Sequence, residues 1–177
     1  KILLFGGAES LRDKSDYEAV YVGDSHLKSE ENCRAMIPVF GKLPSLRQAG
    51  FVGTGITSDG IKIIAEGLPE QFPIEGAFFQ NNPDLLSKED GRTAMREFIR
   101  KCTSLKKADF DGCRFAPSPE NMDIIGKWLQ VMSVECDIIL GADMRHGVTN
   151  WKPRFHDLMG VIGPIEQDGA GQCDNVC

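Results

Sequence analysis

Two patterns of apolar residues alternate four times along the chain. The first is a short segment, apolar-x-x-apolar-x-apolar, that ends three residues later in a serine, threonine, asparagine or cysteine. The second is a longer segment with apolar residues at intervals of three and four. Alternation predicts a strand, and intervals of three and four predict the buried face of a helix. Each unit is therefore predicted to be a strand, a turn, a helix and a return loop. The short segments occupy residues 17–27, 46–56, 74–82 and 105–115.

The units keep an almost constant length. Their central strand residues are Val20, Ala49, Ala77 and Ala108. The regular spacing of these four positions is typical of repeat proteins in which neighbouring units stack. We therefore predict five parallel strands, each paired with its neighbours in the chain, and helices on one outer face. A series of unrelated strand–helix units is the alternative.

The helical segments carry matching stripes and end signals. In the second unit Ile61, Ile64, Ala65 and Leu68 fall on one face of a helix, and the other three units repeat this spacing. Serine hydroxyls before the stripes are expected to accept hydrogen bonds from the first free N–H groups of each helix. The predicted N-caps are Ser29, Ser58, Ser87 and Ser118.

At this period, and with a full helix in each unit, the sequence resembles leucine-rich repeats of the ribonuclease-inhibitor-like type. The resemblance covers about residues 17–132. It implies an α/β solenoid, a horseshoe segment with a parallel sheet on its concave face and helices on its convex face. Leucine is often replaced by alanine, phenylalanine or valine, and the third unit carries an insertion with Pro83.

The polar residue that closes each strand segment matches the position that is asparagine or cysteine in that family. Its side chain is expected to turn inward and to hydrogen-bond backbone groups that the bend leaves unpaired. Cys113 is therefore expected to be a structural thiol and not a nucleophile. The four residues at this position are Ser25, Thr54, Asn82 and Cys113.

The predicted domain organisation has three parts. Residues 1–16 are predicted to be a truncated N-terminal repeat or cap. Residues 17–144 are predicted to hold about four full repeats and a fifth strand near Cys136, with its frame shifted. Residues 145–177 are predicted to form a C-terminal cap and a mobile tail. The chain starts at Lys1 with no methionine and no leader sequence, so we expect a fragment of a longer protein.

Composition and charge narrow the class of protein. The chain has 177 residues, of which 41% are hydrophobic and 26% charged, which is typical of one globular domain. A net charge of -6 disfavours nucleic acid as the main partner, and no apolar stretch has the length of a membrane span.

Six cysteines are too few for a disulfide scaffold, and no Asn-x-Ser/Thr site occurs. Both observations favour a reducing, cytoplasmic compartment.

Motifs for catalysis, phosphate binding or metal binding are weak. Gly50, Gly53 and Gly55 lack the spacing of a phosphate-binding loop and are assigned to a tight turn. The residues that could gather around zinc form no compact motif. They are His146, His156, Cys173 and Cys177. We therefore predict that the chain is not an enzyme and has no cofactor or metal.

Strand alternation identifies the side chains that face away from the helices. One row across the sheet is predicted to hold Tyr21, Gly50, Phe78 and Asp109. Its two aromatic residues either contact each other or Val52, or anchor a partner. We predict a non-catalytic protein-interaction module that binds another protein through the concave face. The predicted binding residues are Tyr21, Arg47, Gln48, Phe78, Lys106, Asp109 and Asp111.

Other interpretations stay open. The resemblance implies, as an alternative, a regulatory domain that inhibits or activates an enzyme partner, as nuclease inhibitors and GTPase activators do, and this inference is at the level of the fold. A small enzyme of unrelated type would need a buried polar cluster in the concave sheet. A run of basic residues is expected to be a solvated face, or else a site for an acidic partner. It comprises Arg92, Arg96, Arg100, Lys101, Lys106 and Lys107.

Overall fold

The computed structural model describes residues 2–5, 16–23, 26–115, 119–132 and 136–140. These residues form an α/β fold with six strands and four helices. In chain order the elements are β1 (Ile2–Phe5), β2 (Ala19–Val22), α1 (Glu30–Phe40), β3 (Gln48–Gly50), α2 (Ser58–Gly67), β4 (Gly76–Phe78), α3 (Glu89–Lys101), β5 (Lys107–Phe110), α4 (Pro119–Leu129) and β6 (Asp137–Leu140). The predictions for Ser25, Ser118, the candidate zinc ligands and the C-terminal part 145–177 lie outside the described residues.

The strands form one parallel sheet whose order follows the chain from β1 to β6. Val20 pairs with Ala49, Ala49 with Ala77, and Ala77 with Ala108. This register confirms the predicted pairing of successive strands. All five predicted strands are present as β2 to β6, and β1 adds a sixth strand that pairs with β2.

The last strand keeps the register of the others. Ile138 pairs with Ala108, the central strand residue of the preceding unit, so the predicted frame shift is wrong. In this unit Glu135 stands where the other units have their first apolar residue, so the frame is hard to recognise in the sequence. The backbone pairing follows the next two apolar positions, Ile138 and Leu140, which are both fully buried.

The helices lie on one face of the sheet. The strand order never reverses, and crossovers between parallel strands share one hand, so each helix returns on the same side. The strand side chains beneath them, including Val20, Ala49, Ala77 and Ile138, are buried. Helix residues such as Ile64 belong to the same apolar core.

A column of aromatic rings runs through this core. Phe51, Phe79 and Phe110 occupy equivalent positions in three successive units, and their rings stack with centroids 4.9 and 5.5 Å apart. Phe98 of α3 packs edge-on against Phe79, and Trp128 of α4 packs against Phe110. Such pairs contribute stability beyond their buried area. The column therefore ties α3 and α4 to the sheet.

The helix N-caps agree with the sequence prediction in one case and differ in two. Ser29 caps α1 by accepting the N–H of Asn32 at 3.2 Å. Thr57, and not Ser58, caps α2, because its extended backbone brings its hydroxyl to the N–H of Gly60. The Ser58 hydroxyl instead donates to carbonyls of the next unit.

The prediction for the cap of α3 is also wrong. Lys88 holds the N-cap position and makes no side-chain capping hydrogen bond. The Ser87 hydroxyl donates back to the carbonyl of Asp84 at 2.9 Å, so it stabilises the preceding turn. Glu89 and Asp90 follow in the first turn of α3, where negative charge is favourable.

The turns after β4 and β5 are held by the inward polar residues that the sequence predicts. The Asn82 amide donates to the carbonyls of Phe51 at 2.7 Å and Phe79 at 2.8 Å, and its oxygen accepts the N–H of Gly55 at 2.9 Å. The Cys113 thiol donates to the same Phe79 carbonyl at 3.0 Å. These contacts confirm the predicted role of this position and link the turns of neighbouring units.

Candidate functional site

The candidate site is the face of the sheet opposite the helices, which we call the open face. Alternation along each strand brings every second side chain to it. On β2 to β5 and the turns that follow them it comprises Ala19, Tyr21, Gln48, Gly50, Val52, Gly76, Phe78, Gln80, Lys107, Asp109 and Asp111. On β6 it continues with Asp137 and Ile139, which pair with Lys107 and Asp109. The predicted row is correct, because Tyr21 pairs with Gly50, Gly50 with Phe78, and Phe78 with Asp109.

Tyr21 lies across the neighbouring strand. A Cβ on Gly50 would stand 2.1 Å from Cδ1 of Tyr21, so the ring occupies the space that a larger residue would fill. The Tyr21 hydroxyl donates to Oε1 of Gln48 at 3.2 Å. These two contacts hold the ring against β3 and leave Tyr21 half-buried.

Phe78 is held in a similar way on β4. A Cβ on Gly76 would stand 3.1 Å from Cε2 of Phe78, so this ring also covers a glycine. Nζ of Lys107, on β5, lies 5.6 Å from the centre of the Phe78 ring, a cation–π contact. Phe78 is half-buried and presents one part of its ring to solvent.

Val52 is a member of the open face that the sequence analysis did not include among the binding residues. It is 37% exposed, more than any other large apolar side chain of the described residues. Its outward position follows from strand alternation, so the signal is present in the sequence. Its degree of exposure depends on the neighbouring strands and cannot be read from spacing.

Charge is unevenly distributed over the open face. The open-face residues of β2, β3 and β4 are uncharged, whereas Lys107, Asp109 and Asp111 follow one another along β5 and the turn after it. Asp109 is only 9% exposed and its carboxylate accepts the N–H of Asp111 at 3.1 Å. Asp111 is exposed. Of the two predicted acidic binding residues, Asp111 therefore has the more accessible side chain.

Arg47 and Lys106, two other predicted binding residues, lie at the margin of the sheet. Both pair with Glu75, which forms a salt bridge with Arg47 and accepts from Nζ of Lys106 at 2.9 Å. The hydrogen bonds from Lys106 and then Arg47 lower the pKa of Glu75. The two cations are thus partly neutralised. They border the open face, where Gln48 and Lys107 are exposed.

The basic run from α3 to β5 is not a continuous free patch. Lys101 is 7% exposed and donates to the carbonyls of Leu68 at 2.9 Å and Glu66 at 3.3 Å, near the end of α2. Arg100 pairs with Glu70 and Glu97 at 2.7 and 2.6 Å. Lys101 therefore joins two helices, and Arg100 is balanced by two carboxylates.

The described cysteines do not form a reactive site. Cys33, Cys102, Cys113 and Cys136 are free and buried, as predicted. Burial raises the pKa of Cys113 to about 12 and the pKa of Cys33 to about 11, so both thiols stay protonated near neutral pH. Among the described residues no group of three or more histidine, cysteine or acidic side chains could hold a metal ion.

A cavity that the sequence analysis missed opens between α3 and α4. It has a volume of about 290 Å³ and its lining includes Arg92, Arg96, Asp123 and Trp128. Its lining holds three acidic and three basic side chains, and Asp123 is paired with Lys127 at 2.6 Å. The lining therefore carries no net charge, and charge alone does not indicate a ligand class for this cavity.

Comparison with protein-family models, with curated proteins and with solved structures found no match for this chain. No helix among the described residues is long and apolar enough to cross a membrane.

Proposed function

We propose that this chain is a segment of a ribonuclease-inhibitor-like leucine-rich-repeat solenoid, and that it is a non-catalytic module that binds another protein through its open, concave face. The constant register and the linked turns around Asn82 support the solenoid part of the proposal. Units of this kind stack on their neighbours and present an extended surface.

The observation that supports the binding function is that the aromatic side chains of the open face are partly exposed and are held in fixed positions. Tyr21 and Phe78 are half-buried on strands whose own open-face residues are uncharged, and Val52 beside them is exposed. Each ring is held in place by a glycine contact and a polar contact. Ordering these rings on binding therefore costs little entropy, which is a property of interface anchors.

Capture of proteins from a lysate of the source organism tests this function. The bait is the wild-type chain, Phe78→Ala, or Lys62→Ala as a control on the exposed part of α2. We expect a protein that wild type and Lys62→Ala retain and that Phe78→Ala loses, with binding weakened by about 1–3 kcal/mol. Equal capture by all three baits, or no capture, would contradict the proposal.

We further propose a reducing, cytoplasmic location for the chain. Four buried cysteines that are free in the structure support it, because disulfides are rare in such compartments. Thiol titration of the denatured, unreduced protein from its source should detect at least these four. Recovery of fewer would contradict the location.

A further inference from the structure

One corner of the open face combines apolar surface with hydrogen-bond acceptors. The parallel ladder continues beyond the strands, since the N–H of Gly53 donates to the Gln80 carbonyl and the N–H of Asn81 to the Asp111 carbonyl, at 2.9 and 2.8 Å. Val52, Gln80 and Asp111 therefore stand side by side in one row. With the row before it, this row forms the acceptor corner, defined as Val52, Phe78, Gln80, Asp109 and Asp111.

The carboxylates of the acceptor corner lack cationic partners. No lysine or arginine of the described residues forms an ion pair with Asp109 or Asp111. At the opposite end of the same strands, Glu75 is paired with two cations. Lys107 lies two residues before Asp109 on the same face, but it forms no ion pair with it, and its amine lies over the Phe78 ring. Asp111, in the turn after β5, is four residues from Lys107, which is about 13 Å along an extended chain.

The amide of Gln80 lies between Val52 and Asp111 in this row. Its Oε1 atom is buried and accepts no hydrogen bond from the described residues. The atom has no contact with solvent, so a partner that lies on the open face does not reach it in this rotamer. The accessible acceptor of the corner is therefore the Asp111 carboxylate, which lies in the same row as the exposed Val52.

We propose that the acceptor corner binds a segment of the partner protein in which a lysine or arginine stands next to an apolar residue. The apolar residue contacts Val52 and the free part of the Phe78 ring, and the cation meets Asp111. The net charge of -6 favours the approach of a basic partner over an acidic one. This inference rests on the proposed function, and it adds that the partner carries a positive charge where it meets Asp111.

Peptide selection tests the inference with defined probes. Phage libraries of random peptides carry a fixed central Leu-Arg, Leu-Gln or Leu-Glu pair and are selected on the whole wild-type chain at low salt. We expect enrichment from the Leu-Arg library above the other two. The best peptide is then synthesised and titrated against wild type, Asp111→Asn, Phe78→Ala and Glu66→Gln.

Glu66→Gln is the matched control because it neutralises an exposed acidic residue of α2, far from the open face. We expect Asp111→Asn to weaken binding about three- to tenfold, Glu66→Gln to leave it unchanged, and added salt to reduce the difference. Asp111 is exposed, so its neutralisation should not change the melting temperature.

The outcomes separate the two proposals. One result that overturns the inference is that peptides lose affinity for Phe78→Ala but are selected equally from the three libraries. Another is that the peptides bind Asp111→Asn with the same affinity as wild type. Both results leave the proposed function in place. Peptides that bind wild type and Phe78→Ala equally overturn the proposed function, and the inference with it.

Discussion

Phe78 and Phe79 are adjacent in the chain and lie on opposite faces of the sheet. Phe79 is 0% exposed and stacks between Phe51 and Phe110, so its neighbours surround it on every side. Phe78 covers a glycine and keeps part of its ring in solvent. The inner face is built from large side chains that fill a shared core. On the open face the rings of Tyr21 and Phe78 lie over Gly50 and Gly76, which have no side chains. Part of each ring therefore stays available to a partner.

The largest effect that this comparison predicts is on Phe79. Phe79→Ala removes the middle ring of the aromatic column and should lower the free energy of unfolding by about 3–5 kcal/mol. Phe78→Ala should cost about 1 kcal/mol, because only part of that ring is buried. Chemical denaturation of both variants measures the difference. Equal losses would mean that the two faces are not distinct in packing.

Asn82 supplies the next largest effect. Asn82→Ala removes the amide hydrogen bonds to the carbonyls of Phe51, Phe79 and Gln80 and the acceptor of the Gly55 N–H. The Phe51 and Phe79 carbonyls each keep one other donor, the Thr54 hydroxyl and the Cys113 thiol. We expect a loss of about 2–3 kcal/mol in the free energy of unfolding, because all hydrogen bonds of one buried amide are lost and the Gly55 N–H is left without this acceptor. Asn82→Asp, which keeps the acceptor and removes the three donor bonds, should be destabilised as well. A loss well under about 1 kcal/mol for Asn82→Ala would show that the ladder is dispensable.

Gly50→Ala sharpens the comparison from the open face. The new Cβ would overlap the Tyr21 ring, so the ring must move and lose its bond to Gln48. We expect a change of less than about 1 kcal/mol in stability and a severalfold loss of peptide binding. Gly41→Ala is the control, since its Cβ would have only ordinary contacts. Unchanged binding by Gly50→Ala would exclude Tyr21 from the interface.

The smallest effect concerns Glu75 at the margin of the open face. Its pKa is lowered in the folded protein, so its ion pairs stabilise the fold above the ordinary titration range of glutamate. We expect wild type to melt above Glu75→Gln at neutral pH, and the difference to disappear as the pH falls through the lowered pKa. Melting curves across this range, with Glu66→Gln as control, measure it. A constant difference at all pH values would contradict the prediction.

The sequence predicted the register and the faces well, because both depend on local periodicity. The spacing of Val20, Ala49 and Ala77 set the pairing, and alternation placed Phe78 and Phe79 on opposite sides. Contacts between units could not be predicted in this way. The ring of Tyr21 lies over a glycine of the next unit, and spacing gives the side of a strand without the side-chain rotamer.

Lys101 illustrates the same limit for charged residues. In the sequence it belongs to a basic run and is expected to be solvated. In the structure it donates to carbonyls at the end of α2, in the preceding unit, and is almost fully buried. The choice of Thr57 over Ser58 as N-cap also depends on backbone angles that residue type does not determine.

The strictly sequential order of the strands has a consequence for the history of the gene. Ala49 and Ala77 hold the same place in neighbouring units, and every strand pairs only with the strands before and after it in the chain. Deletion or duplication of the segment between them would join equivalent points and leave all other pairings unchanged. Unequal recombination can therefore lengthen or shorten such a protein by whole units. The length of its open face then changes, while the fold of each unit stays the same.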